Sequence, residues 1–149
     1  MNKLFIAFAI AFSSLSCSKV PDYLTTPKTA TGERTFYWID NNNVIYCDSA
    51  YAIRFNNTIY AYKTTSLGRY YFEIKLNGID RTSYDFNAAG NIFTYQKPSS
   101  TDVLRGISGK VDILTRPETT IQGVGTVYFA NPNGRDSLTF LFDKLPIRN

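Results

Sequence analysis

Five carboxylates stand in the polar stretches of this chain: Asp40, Asp48, Glu73, Asp80 and Asp85. Two carboxylates facing each other across a sugar can hydrolyse a glycoside, one as acid and the other as base or nucleophile, without help from histidine. That matters because the sequence contains no histidine at all. Its absence removes Ser-His-Asp and Cys-His arrangements, the usual general base near neutral pH, and most catalytic zinc sites. Most of the five carboxylates fall at turns or strand ends, where Asp ordinarily caps backbone. Cys47 has no histidine to activate its thiol and is expected as a small buried hydrophobe. The run Asp40-Asn41-Asn42-Asn43 offers oxygens of the kind calcium accepts, but it lacks the ligand spacing of a calcium loop and is expected as a turn. The residues therefore point away from an enzyme: no catalytic residue and no metal ligand is assigned.

The more promising chemistry is recognition. Tyr and Phe occur eleven times each, with one Trp. Tyr60, Tyr62, Tyr71 and Tyr128 alternate out of step with neighbouring aliphatics, so they are candidates for a binding surface. A tyrosine suits that task because its ring is apolar and its tip polar. Trp38, in Thr35-Phe36-Tyr37-Trp38-Ile39-Asp40, is expected in the core.

Side chains of this kind need strands to present them. Arg69 to Asn77, RYYFEIKLN, puts Tyr70, Phe72, Ile74 and Leu76 on one face and Arg69, Tyr71, Glu73, Lys75 and Asn77 on the other. That period of two is the mark of a half-buried strand. Similar short runs cover 34–40, 44–47, 51–55, 58–64, 82–86, 92–96, 109–115, 121–130 and 137–143. Turns are expected at Asn41–Asn43, Asn56-Asn57, Ser66–Gly68, Arg116–Glu118 and Asn131–Gly134. Tyr51, Ile53 and Phe55 share one face of their run. Residues 97–107, rich in Pro, Ser and Thr, read as the longest loop. Gly123 and Gly125, two apart in one strand pattern, suggest a bulge or sharp bend. No stretch has helical periodicity. Turn signals spaced this closely predict an all-β fold, an antiparallel β-sandwich, with a small up-and-down, lipocalin-like β-barrel as the alternative.

The amino terminus sets the compartment. Lys3 precedes nine apolar residues, Leu4 to Phe12, too few to span a bilayer, which takes about 20. With Ser14 and Ser16 before Cys17, the pattern is a secretory signal peptide. Residues 1–16 are expected as the leader, 17–31 as a lipidated Cys17 and flexible tether, and 32–149 as a single all-β domain. Removing 1–16 from 149 leaves 133 residues, with 15 Lys and Arg against 12 Asp and Glu, or +3. These charges are scattered singly, so nothing in the sequence indicates nucleic acid or a polybasic membrane patch. The tether would reach about 45–50 Å fully extended.

Leu15-Ser16-Cys17-Ser18-Lys19 resembles a bacterial lipoprotein signal, although the branched residue usually sits three before the cysteine and Leu15 sits two before it. Ser108-Gly109, Thr115, Ile121-Gln122-Gly123, Asn131 and Gly134, with the upstream Phe55 to Tyr62, resemble the hairpins of small β-rich lipoproteins of Bacteroidota. The resemblance covers about half of the mature chain and consists mostly of turn chemistry. It implies an acyl group (diacylglycerol, with palmitate-type chains) on Cys17 and anchorage in the outer membrane; the other reading is a soluble periplasmic or secreted protein. It implies no catalytic residue and no cofactor beyond the covalent lipid. The expected function is a non-catalytic binding module or accessory subunit of an envelope complex, its partners the membrane, through the lipid, and envelope proteins or glycans. A carrier of a small apolar ligand and, behind it, a carboxylate-based glycan hydrolase are the alternatives.

Overall fold

The computed structural model describes residues 35–78, 82–115, 118–131 and 134–149. The leader, Cys17, the tether and Asp80 lie outside the described residues. Ten strands follow in chain order: β1 (Phe36–Asp40), β2 (Asn43–Tyr46), β3 (Ser49–Ile53), β4 (Thr58–Thr65), β5 (Gly68–Lys75), β6 (Ser83–Asp85), β7 (Ile92–Gln96), β8 (Val103–Thr115), β9 (Thr120–Asn131) and β10 (Gly134–Arg148). The all-β expectation holds, and no helix occurs among the described residues.

The expected sandwich gives way to a barrel. Strands β10, β3, β4, β5, β7, β8 and β9 pair in a closed ring of seven, with β1, β2 and β6 attached outside it. Closure depends on two long strands that change neighbours along their length. β10 pairs with β1 through Thr139–Phe142, shifts register between Phe142 and Leu145, and then pairs with β3 at Ile147 and Arg148. Lys144, inside that irregularity, has φ of 47°. β8 pairs with β7 through Val103–Arg105, bulges between Gly106 and Ser108, and pairs with β6 through Lys110–Asp112. Bulges bend a strand and raise its twist, which lets one strand serve both walls. Every barrel pairing is antiparallel except β10 with β3.

Several local expectations are corrected. The segment read as a loop over 97–107 is loop only to Asp102, because β8 begins at Val103. β10 runs well past Asp143, and Pro146 is tolerated just beyond the bulge, where a strand proline does least harm. Phe55 does not continue the Tyr51 and Ile53 face: the chain turns after Ile53 and leaves Phe55 93% exposed. At Gly123 the expected irregularity is present: register is unbroken from Gly125 to Gly123 but shifts just beyond it against both neighbours, between Phe142 and Leu145 on β10 and between Ile113 and Thr115 on β8. Positions 123 and 125 are glycines because a Cβ there would collide with the rings of Phe142 and Phe140.

The Asn41-Asn42 turn behaves as read; Asn56-Asn57 falls in a four-residue connection between Ile53 and Thr58, and the expected turns at Arg116–Glu118 and Asn131–Gly134 include residues outside those described. Asn41 and Asn42 both take positive φ, 49° and 64°, as a two-residue hairpin requires. The core fills the barrel. Trp38, Phe72, Tyr95, Phe140 and Phe142 are fully buried. Phe36 stacks on Phe140 and Phe142 at 6.1 and 6.0 Å and meets Phe72 at 5.6 Å. Trp38 reaches Phe72 at 4.6 Å. The outlying strand β1 thus supplies two of the largest side chains in the interior.

Candidate binding surface

The wall formed by β3, β4, β5 and β7 alternates, except that Thr58 at the start of β4 is buried beside Ile59. Ala50, Ala52, Ile59, Ala61, Phe72, Ile74, Phe93 and Tyr95 point inward and are buried. The other phase faces out, and strand pairing places it on a grid. One row across the wall reads Tyr51, Tyr60, Glu73, Thr94, and Arg105 of β8. The row beside it reads Ser49, Tyr62, Tyr71, Gln96 and Val103. On the other side stand Ile53, Lys75 and Ile92, with Thr58 in the same register but buried.

The rings on this grid touch. Tyr51 and Tyr60 lie 5.7 Å apart, Tyr60 and Tyr71 6.2 Å, with tilts of 41° and 37°. Such contacts between cross-strand aromatics stabilise a sheet while leaving ring surface to solvent. All four tyrosines of the wall are half-buried. The Tyr71 hydroxyl donates to Glu73 Oε2 at 3.4 Å. Burial first, and then the charge of Glu73, hold that hydroxyl far above the ordinary phenol range, so it remains a donor. Arg148 places its guanidinium 3.9 Å from the Tyr51 ring centre, and Arg69 lies 5.0 Å from that of Tyr62.

Three of the four tyrosines singled out in the sequence, Tyr60, Tyr62 and Tyr71, therefore come together. Tyr128 does not join them. It is exposed on β9 between Ser108 and Ser137, outside this wall. Sequence reasoning missed Tyr51, whose signal was the Ala50-Tyr51-Ala52 alternation of small and large. It also missed Arg69, Lys75, Arg105 and Arg148 as a group. All four are exposed, and none has an ion pair among the described residues.

The carboxylates of Asp40 and Asp48 are taken up elsewhere, and Asp85 takes part in a turn through its backbone. Asp40 Oδ2 accepts from Lys97 Nζ at 2.9 Å and from the Tyr95 hydroxyl at 3.2 Å. Burial and the Asp40 charge keep the Tyr95 phenol protonated, partly offset by the approach of the Trp38 indole N–H, which does not reach bonding geometry. Asp48 accepts from the Thr64 amide at 2.7 Å and pairs with Lys63 at 3.6 Å. Asp85 begins a turn whose far end, Asn91 Nδ2, donates to the Asp85 carbonyl at 2.8 Å. These are structural partnerships, and no three metal-ligating groups cluster among the described residues.

At the end of the barrel where β3 turns into β4, Ala52, Ile59, Leu76, Ile121 and Ile147 line a cavity of about 30 Å³. Compared with known proteins, the chain matches no family model, no curated protein and no solved structure.

Proposed function

We propose that this protein is a non-catalytic binding module of the bacterial envelope, anchored by a lipid on Cys17 and engaging its partner through the outer face of β3, β4, β5 and β7. The observation that carries the reading is the contiguous group Tyr51, Tyr60 and Tyr71, joined ring to ring across two adjacent rows and bordered by Tyr62. Tyrosine gathered on a rigid sheet supplies contact area at low entropic cost, which is why it recurs in recognition surfaces. Two further observations support binding at the surface over chemistry or carriage. Asp40, Asp48 and Glu73 each already hold a structural partner. The barrel interior is packed with aromatic rings, and the cavity of about 30 Å³ is an order of magnitude below the roughly 300–1,000 Å³ of small-molecule sites.

The test is affinity capture of the tagged, detergent-solubilised protein from its native cells, compared with a Tyr60→Ser/Tyr71→Ser variant. A defined envelope partner should be recovered with the parent and lost with the double variant, while thermal melting is little changed. In the same cells, Cys17→Ser should move the protein out of the membrane fraction. Undiminished capture by the double variant would sink the tyrosine face, and membrane retention of Cys17→Ser would sink the anchor.

A further inference from the structure

The charges that read as isolated along the chain do not stay isolated in the fold. Arg69, Lys75, Arg105 and Arg148 all fall on the outward phase of the tyrosine wall. Arg69 and Lys75 lie six residues apart on β5, or about 20 Å at 3.3 Å per residue. Arg105 and Tyr51 stand four strand steps apart in one row, about 19 Å, with Arg148 beyond Tyr51. The four cations therefore frame the tyrosines. The one carboxylate within the frame is Glu73, near its centre, with the neutral Thr94 and Gln96 beside it. A perimeter of positive charge with no ion pair among the described residues, around rings and hydrogen-bonding groups, sets the requirements for a ligand. It needs acid groups at intervals, flat apolar faces between them, and hydroxyls to give to Glu73.

We propose, resting on the binding face described above, that its ligand is an acidic polysaccharide: sugar rings on Tyr51, Tyr60 and Tyr71, hydroxyls on Glu73, Thr94 and Gln96, and uronate or sulfate groups on Arg69, Lys75, Arg105 and Arg148. The frame is large enough for an oligosaccharide segment of a polymer. Single-stranded nucleic acid fits less well. Bases bind by stacking flat on aromatic faces, whereas Tyr51, Tyr60 and Tyr71 meet one another at tilts of 41° and 37° and form no flat shelf. A protein partner fits less well too. Interface cores are depleted of charge, whereas Glu73 stands at this centre and Ile53, Ile92 and Val103 stand towards the margins.

The experiment is affinity electrophoresis of the full chain, purified in detergent, through gels containing polygalacturonate, dextran sulfate, neutral dextran or no polymer, with an oligothymidylate competitor. The expected result is retardation by polygalacturonate and not by neutral dextran. It should weaken as salt rises, and it should fall at least tenfold in two variants, Arg69→Gln/Arg148→Gln and Lys75→Gln/Arg105→Gln. The second pair lies away from the β10–β3 junction, so a folding defect at Arg148 would not decide the outcome. Tyr60→Ser/Tyr71→Ser should also weaken binding. Equal retardation by neutral dextran, tighter binding of the oligonucleotide, or retention by dextran sulfate alone without tyrosine dependence would each overturn the proposal. So would the absence of any glycan binding. If capture of a cellular partner still depends on Tyr60 and Tyr71, only the acidic glycan falls; if it does not, the face itself falls.

Discussion

At the scale of single residues, Cys47 shows how an environment silences a reactive group. It packs half-buried against the core, and burial, ahead of the neighbouring Asp48 charge, pushes its thiol up to about 11. At pH 8 about one thiol in a thousand is then thiolate, against roughly a quarter for a free cysteine near 8.5. Reaction of the native protein with a colorimetric disulfide reagent at pH 8 should run at least a hundredfold slower than in urea; equal rates would show an exposed thiol. The same shift has a sign for stability. A neutral acid favoured by the fold contributes fully below the unfolded value near 8.5, and that contribution is lost as pH rises toward 11. Residue types told this story well in advance, since an unpaired cysteine with no histidine in the chain was expected to be inert. Trp38 in the core and the Asn41-Asn42 turn were equally legible, because each follows from the residue's own chemistry. The role of Tyr51 was not, because alternation alone assigned it a face without saying what lay opposite.

At the scale of elements, β9 and β10 meet through a shape match between glycine and phenylalanine. Gly125 and Gly123 lie under the rings of Phe140 and Phe142. Gly125→Val would force Phe140 out of its packed position, and overpacking of this kind costs about 1–3 kcal/mol. The complementary change, Phe140→Ala, should cost about 3–5 kcal/mol by leaving a cavity. Joined in one chain, the two should cost less than their sum, since a larger residue partly refills the space. Urea denaturation of the three variants measures that coupling, and strict additivity would refute the contact. The sequence signalled both strands and the irregularity beside Gly123, but not the rings that cover the two glycines. A glycine that spares a bend and a glycine that spares a ring look the same until the partner strand is known. The extents of β8 and β10 failed for a related reason: a strand that changes partners at a bulge looks interrupted in sequence, though its hydrogen bonding continues with another neighbour.

At the scale of the whole molecule, what separates a sandwich from a barrel is a handful of distant pairings. The seam is β10 against β3, two register pairs, Ile147 with Ala52 and Arg148 with Ile53, extended by the bond from the Arg54 amide to the Arg148 carbonyl at 2.9 Å. Nothing local in either segment announces the other, so the fold class was readable and its closure was not. The grouping of the four cations was hidden for the same reason: basic residues separated in the chain are gathered only once six strands, from β10 through β3, β4, β5 and β7 to β8, are aligned. Removing Pro146–Asn149 should open the barrel. Hydrogen exchange of the β3 amides should rise by at least an order of magnitude while the β4–β5 hairpin stays protected; unchanged β3 protection would mean that the seam is dispensable.

That seam also carries a consequence for how the molecule comes into being. Its two edges lie almost a hundred residues apart in the chain, so this pairing carries the largest loop-closure cost in the ring. Contacts so distant form late, and the hairpins on either side of the seam can be in place before the ring closes.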